Sequence, residues 1–123
     1  MLIADLGYKR PAAEAAAAVA TMGPGERVIV ADVDGAVCGF ASAAVVPFFH
    51  DGSRRLRLTA IAVSSSHRGR GLARSLVSEL ERWGREQGCG LVEVTSAERR
   101  ADAHAAYRAL GFEEAPRRFT RRL

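Results

Sequence analysis

No stretch constrains this chain more than Leu56 to Gly88, where strand, turn and helix patterns follow one another without a break. Leu56, Leu58, Ile61 and Val63 read as an apolar strand, and Ser64 to Gly71 as a polar, glycine-bearing turn. From Leu72 the period becomes helical, with Leu72, Leu76, Val77, Leu80, Trp83 and Gly84 on one face. Glu81 with Arg85, and Arg82 with Glu86, pair at helical spacing on the wet side, and Gly88 is a natural stop.

The physics of that turn points to an anion. A helix starting near Gly71 leaves its first amide hydrogens without partners at the positive end of the helix dipole, where a phosphate fits. Gly69 and Gly71 let the backbone approach such a ligand, and Arg68, Arg70 and Arg74 add positive charge around it. A nucleotide-binding P-loop is excluded because no Gly-Lys-Ser/Thr ending follows, and a dinucleotide fold because the third glycine is missing. Two glycines alone also fit a plain strand-to-helix turn with solvated arginines.

The rest of the chain supplies a mixed sheet. Pro11 suits a first helical turn, and Ala12 to Met22 reads as a helix whose alanines should lie flat against a sheet, ended by Gly23-Pro24-Gly25. Arg27 to Ala31 is a strand, Asp32-Val33-Asp34-Gly35 a hairpin turn and Ala36 to Val46 the antiparallel return. Pro47 to Ser53 is a loop with two aromatics, Phe48 and Phe49. Leu91 to Ser96 is another strand, Ala97 to Ala101 a basic loop, and Asp102 the N-cap of a helix running to Leu110 and closed by Gly111. Phe112 to Ala115 and Arg117 to Leu123 are expected to form a final hairpin around Pro116. This order predicts an α+β fold, a mixed and mostly antiparallel sheet with helices on its faces.

A chain of 123 residues is one domain, 1–123, with room for a single core. At 48% hydrophobic and 26% charged residues it reads as soluble and globular, without any run long enough to span a membrane. The alanine-rich segment Pro11 to Ala20 contains Glu14 and has no basic region followed by a cleavage site, which argues against a secretory leader and for the cytoplasm. Cys38 and Cys89 lack metal-ligand spacing and are expected to be buried free thiols; no metal site is expected. The net charge of +4 comes from 17 arginines and a single Lys9, a balance that suits oxyanions. The pI of about 9.8 raises nucleic acid, but fifteen of the arginines are spread from Arg54 to Arg122 without aromatic interleaving, so nucleic acid is not the expected partner.

Two segments resemble a known family. Arg68-Gly69-Arg70-Gly71-Leu72-Ala73, preceded by Ile61-Ala62-Val63, is similar to the R/Q-x-x-G-x-G/A signature of the GNAT superfamily of N-acetyltransferases. Ala103 to Phe112 resembles that family's A-x-x-x-Y-x-x-x-G-F segment. Both occur in order with a strand between them, and the resemblance covers about residues 26–123. It implies transfer of an acetyl group from acetyl-CoA to a primary amine of a small molecule or peptide by direct attack. A non-catalytic acyl-CoA-binding or interaction module on the same fold is the alternative.

The resemblance also assigns residues. The backbone of Ile61, Ala62 and Val63 would pair with the pantetheine arm, an amide in that run polarising the thioester carbonyl, while the amides of Arg68, Gly69, Arg70, Gly71, Leu72 and Ala73 would hold the pyrophosphate. Tyr107 would protonate the departing sulfur. Glu93, in mid-strand, would be the general base acting through a water, unless it merely belongs to a solvated strand face with Leu91 and Thr95. His50, Asp51 and His104 are further candidates for the base, and Arg100 is placed to reach a CoA phosphate. Relatives usually carry a first strand and a fuller helical region that this chain begins too late to supply; a homodimer partner is one way to cover the edge so exposed.

Overall fold

The computed structural model describes residues 12–94, 101–114 and 119–123. The elements are α1 (Ala12–Ala20), β1 (Glu26–Val33), β2 (Ala36–Pro47), β3 (Arg54–Val63), a 3-10 turn (Ser65–His67), α2 (Leu72–Glu86), β4 (Leu91–Val94) and α3 (Ala101–Ala109). The four strands form one sheet in the order β1-β2-β3-β4. The first two pairings are antiparallel and β3–β4 is parallel, the α+β architecture expected from the sequence. A parallel pair needs a crossover, and α2 is that crossover. In the hairpin Asp34 and Gly35 both take positive φ, the primed turn whose twist matches its strands.

One face of the sheet is the core. Ile29 and Ala31 from β1, Ala41, Ala43 and Val45 from β2, Leu56, Leu58, Ile61 and Val63 from β3, and Val92 and Val94 from β4 meet Leu76, Val77, Leu80 and Trp83 of α2. Leu80 is wholly enclosed and Leu56 is 1% exposed, so the expected helical stripe is the stripe that is buried. Fully burying each such side chain contributes about 1.5–3 kcal/mol, and that burial fixes α2 on the sheet. Arg27, on the same face, lays its guanidinium over the Trp83 ring at 5.7 Å. The core face of β3 passes from Leu58 to Ile61, a three-residue step. A β-bulge absorbs it: Ser42 pairs with Ala60 and Ala43 with Leu58, leaving Thr59 as the extra residue.

Several expectations are corrected. The described side chains of α1 are exposed apart from a half-buried Ala18, so the alanine helix does not lie flat on the sheet; it rests on helix propensity more than on burial. It ends at Ala20, two residues early. Phe112–Glu114 and Phe119–Leu123 are not strands, and the latter is exposed throughout. Phe-Thr-Arg-Arg-Leu has no alternating apolar face to bury, which removes the reason for a hairpin. Helix α3 starts at Ala101, which puts Asp102 inside its first turn. Cys38 is a buried free thiol as expected, whereas Cys89 is half-buried; burial pushes its thiol above the ordinary value. On α2, Arg82 pairs with Glu86 at 3.4 Å and with Glu79 at 2.6 Å, the second unforeseen. Met1 to Leu6, Thr95 to Arg100 and Pro116 lie outside the described residues.

Candidate active site

Strand β3 delivers the chain straight into the glycine turn. Past Val63, the Ser64 amide donates to the Cys38 carbonyl at 2.8 Å and the His67 amide to the Ser64 carbonyl at 2.9 Å. His67 Nδ1 meets both Ser64 Oγ at 2.8 Å and Ser66 Oγ at 2.9 Å, so the 3-10 turn is tied to the strand end from backbone and side chain alike. Gly69 and Gly71 then take φ of +80° and +75°, in the left-handed region that costs other L-residues about 1–2 kcal/mol. Gly71 is the N-cap of α2, its carbonyl accepting the Ser75 amide, and no side chain caps the helix. Among the described residues the amides of Leu72, Ala73 and Arg74 therefore find no hydrogen-bond partner, at the positive end of a 15-residue helix.

Beside this turn the sheet is open. Among the described residues β3 pairs with β4 only from Arg55 to Leu58, opposite Leu91 to Val94. From the Thr59 bulge to Val63 the strand is hydrogen-bonded to β2 on one side and, among the described residues, has no strand on the other. Ile61, Ala62 and Val63 line that unpaired edge, their side chains half-buried or buried. An edge of this sort is a template for an added extended chain carrying amides, with the anion site at its far end. The Val63 carbonyl accepts the Arg68 Nε at 3.3 Å, so Arg68 folds over the edge at its junction with the turn. Arg70 is exposed on the same turn.

Helix α3 closes on this end of α2. Its C-terminus is a Schellman motif: Phe112 N–H donates to the Tyr107 carbonyl at 3.0 Å and Gly111 N–H to the Arg108 carbonyl at 3.0 Å, with Gly111 at φ +93°. The apolar contact that accompanies such a motif is here Tyr107 against Phe112, edge to face at 6.1 Å. Leu110 and Phe112 pack onto the core, so the Tyr-x-x-x-Gly-Phe spacing fixes the half-buried Tyr107 by local geometry. Arg74, assigned from sequence to the anion, donates through Nη2 to the Ala109 carbonyl at 2.8 Å.

Glu93 lies on the sheet face away from α2, directly opposite Arg57. Its Oε1 accepts from Arg57 Nε at 2.8 Å and Nη2 at 2.6 Å, while Oε2 is 3.6 Å from Arg55. Ser42 Oγ and Thr59 Oγ1, 2.7 Å apart, form a hydroxyl pair at the bulge. Arg57 and Thr59 were not singled out by sequence reasoning; the step from Leu58 to Ile61 was the available signal for the bulge. His50 and Asp51 sit in the loop that precedes β3, at the opposite end of a strand roughly 30 Å long from the glycine turn. There the Ser53 hydroxyl and amide hold the Asp51 carboxyl below its ordinary value, and Phe48 stacks under Arg55 at 4.3 Å. His104 is half-buried on α3, and Arg100 lies outside the described residues. Among the described residues no group of three or more His, Cys, Asp or Glu could hold a metal ion.

Residues 5–112 match the Acetyltransferase (GNAT) family, and the chain belongs to it. It is 31% identical over 109 residues to an aminoglycoside N(6')-acetyltransferase type 1 of Salmonella typhimurium, covering 80% of this chain and 75% of that protein. It is 33% identical over 85 residues to N-acetyltransferase family 8 member 2 of Rattus norvegicus, covering 69% of this chain but 38% of the relative. In structure it resembles AAC(6')-Iy, solved in complex with the bisubstrate analogue CoA-S-monomethyl-acetylneamine, with a TM-score of 0.86 at 27% identity over 99% of this chain and 86% of that one. The fold and site thus define an acetyl-CoA-dependent N-acetyltransferase. The relatives are named for catalysis, which favours the enzyme over a non-catalytic acyl-CoA-binding module. The residues present fit the cosubstrate: uncapped amides suit its pyrophosphate, and the unpaired edge suits its pantetheine arm.

Proposed function

We propose that the acceptor is a primary amine of a small molecule, with an amino sugar of the aminoglycoside kind as the first to try. The observation that carries the site assignment is the continuity of the unpaired β3 edge with the uncapped N-terminus of α2. Acetyl-CoA supplies an activated thioester. The amides of Gly69 to Ala73 hold its phosphates, and the edge from Ile61 to Val63 pairs with its arm. One backbone amide of that edge donates to the thioester oxygen as negative charge gathers there. The amine attacks the carbonyl carbon, a C–N bond replaces the C–S bond, the amine gives up a proton, and Tyr107 returns one to the sulfur.

Glu93 is read as a tie between β3 and β4, because Arg57, directly opposite it, holds its Oε1 with two donors. The amine proton then leaves to solvent. Alkyl amines are largely protonated at neutral pH, so kcat/KM should climb about tenfold per pH unit up to the acceptor's own pKa. Glu93→Gln is expected to keep that limb and lose less than about tenfold in kcat. Loss of the limb with a fall of about 100-fold would make Glu93 the general base instead.

Release of the CoA thiol, followed with a thiol-reactive dye, tests the acceptor. An aminoglycoside with a 6′-amine should give saturable turnover and its 6′-hydroxyl counterpart none. Turnover with a lysine peptide alone would overturn the small-molecule reading. A cytoplasmic setting belongs to the same proposal, supported by Cys38 and Cys89 as free thiols. So does a homodimer across the β1 edge, which has no outer neighbouring strand among the described residues; sedimentation of the full chain as a monomer at high concentration would remove it.

A further inference from the structure

The strongest unexplained contact outside the cofactor turn is Arg74 Nη2 on the Ala109 carbonyl. Arg74 stands in the first turn of α2, where a cation opposes the helix dipole. It reaches across to the last turn of α3, where a cation complements the dipole of that helix. The Schellman bonds already satisfy the Tyr107 and Arg108 carbonyls, and the Ala109 carbonyl is the one that Arg74 serves. Two residues before Ala109 is Tyr107.

We infer that Arg74 is a positioning residue: it joins the helix that begins at the cofactor phosphates to the helix that carries Tyr107, and so sets where the tyrosine hydroxyl stands relative to the sulfur. This rests on the reading of Tyr107 as the proton donor. Leu110 and Phe112, both past Tyr107, hold the end of α3 to the core, and Phe112 packs on the Tyr107 ring; Arg74 adds the tie to α2. The Arg74 bond is the one side-chain hydrogen bond running from α2 to α3 itself among the described residues. A donor displaced by even about 1 Å can lose up to 100-fold in rate, so a contact remote from the sulfur can govern the step without touching it.

The test uses the full chain with Arg74→Met, Arg74→Lys, Tyr107→Phe and the double variant Arg74→Met/Tyr107→Phe. Arg74→Met should lower kcat about tenfold or more while KM for acetyl-CoA stays within about threefold, and Arg74→Lys, which can still reach a carbonyl, should recover most of it. In the Tyr107→Phe background, Arg74→Met should cost less than about twofold more, because both changes remove the same function. An equal loss of kcat in both backgrounds would overturn the inference. So would a tenfold rise in the Kd for CoA with kcat unchanged, which would make Arg74 a phosphate ligand. If Tyr107→Phe alone is silent, the reading of Tyr107 falls by itself, and hydrogen exchange decides the tie. Faster exchange at Leu110, Gly111 and Phe112 in Arg74→Met then supports it, and unchanged exchange overturns it.

Discussion

Gly71→Glu is expected to raise the Kd for acetyl-CoA by more than about 100-fold in calorimetric titration while the protein stays folded. A Cβ at Gly71 meets nothing within 4 Å, so the substitution clashes with no neighbour. Its fold cost is conformational, about 1–2 kcal/mol for a side chain at φ +75°. The effect on binding is far larger. The carboxylate sits at the mouth of α2, where it repels the incoming phosphates and can itself take the amides of Leu72, Ala73 and Arg74. Each charge-assisted hydrogen bond so lost is worth about 1.5–3 kcal/mol, and two of them exceed the roughly 2.8 kcal/mol that corresponds to a factor of 100. Gly71→Ala separates the two effects, because it carries the same backbone strain without the charge; its Kd should stay within about fivefold of the parent.

Tyr107→Phe should lower kcat about 100-fold and leave KM for acetyl-CoA within a factor of about three. General acid catalysis contributes 10²- to 10⁴-fold, and the lower end applies here because an alkyl thiolate is already a tolerable leaving group on its own. The substitution leaves the frame intact. The Schellman bonds run through backbone atoms, and the ring that packs against Phe112 is retained. A thermal unfolding midpoint unchanged within a few degrees, together with the loss in kcat, would separate chemistry from structure. Unchanged kcat would mean that the sulfur leaves unassisted and that Tyr107 serves only to pack.

The elements that sequence reasoning found are those dictated by local pattern or burial. Leu72, Leu76, Val77, Leu80 and Trp83 announce α2 because a stripe of that period has one way to bury itself. Asp34-Gly35 marks its turn because few residues accept that backbone, and Tyr107-x-x-x-Gly111-Phe112 marks a helix end for the same reason. The glycine turn invites reading as an anion site from helix electrostatics alone. What was not legible depends on register between distant segments. That Glu93 faces Arg57 follows from where the α2 crossover sets β4 down beside β3, some 36 residues away in sequence. That Arg74 donates to the Ala109 carbonyl of α3 follows from how two helices meet. The Pro47 to Ser53 loop carries polar and aromatic residues that invite a functional reading, yet it enters β3 at the end opposite the turn. The alanines of α1 show the limit of composition: small side chains permit close packing without compelling it.

The central claim is that one continuous surface, the β3 edge and the glycine turn, receives acetyl-CoA. Backbone amide resonances of this 13.2 kDa chain, followed as CoA is added, test it residue by residue. The amides of Ile61, Ala62 and Val63 and those of Gly69 to Ala73 should shift together with a single saturating Kd, while those of Phe48 to Ser53 stay still. Saturable shifts confined to another face, or a glycine turn that does not respond at millimolar CoA, would contradict the account.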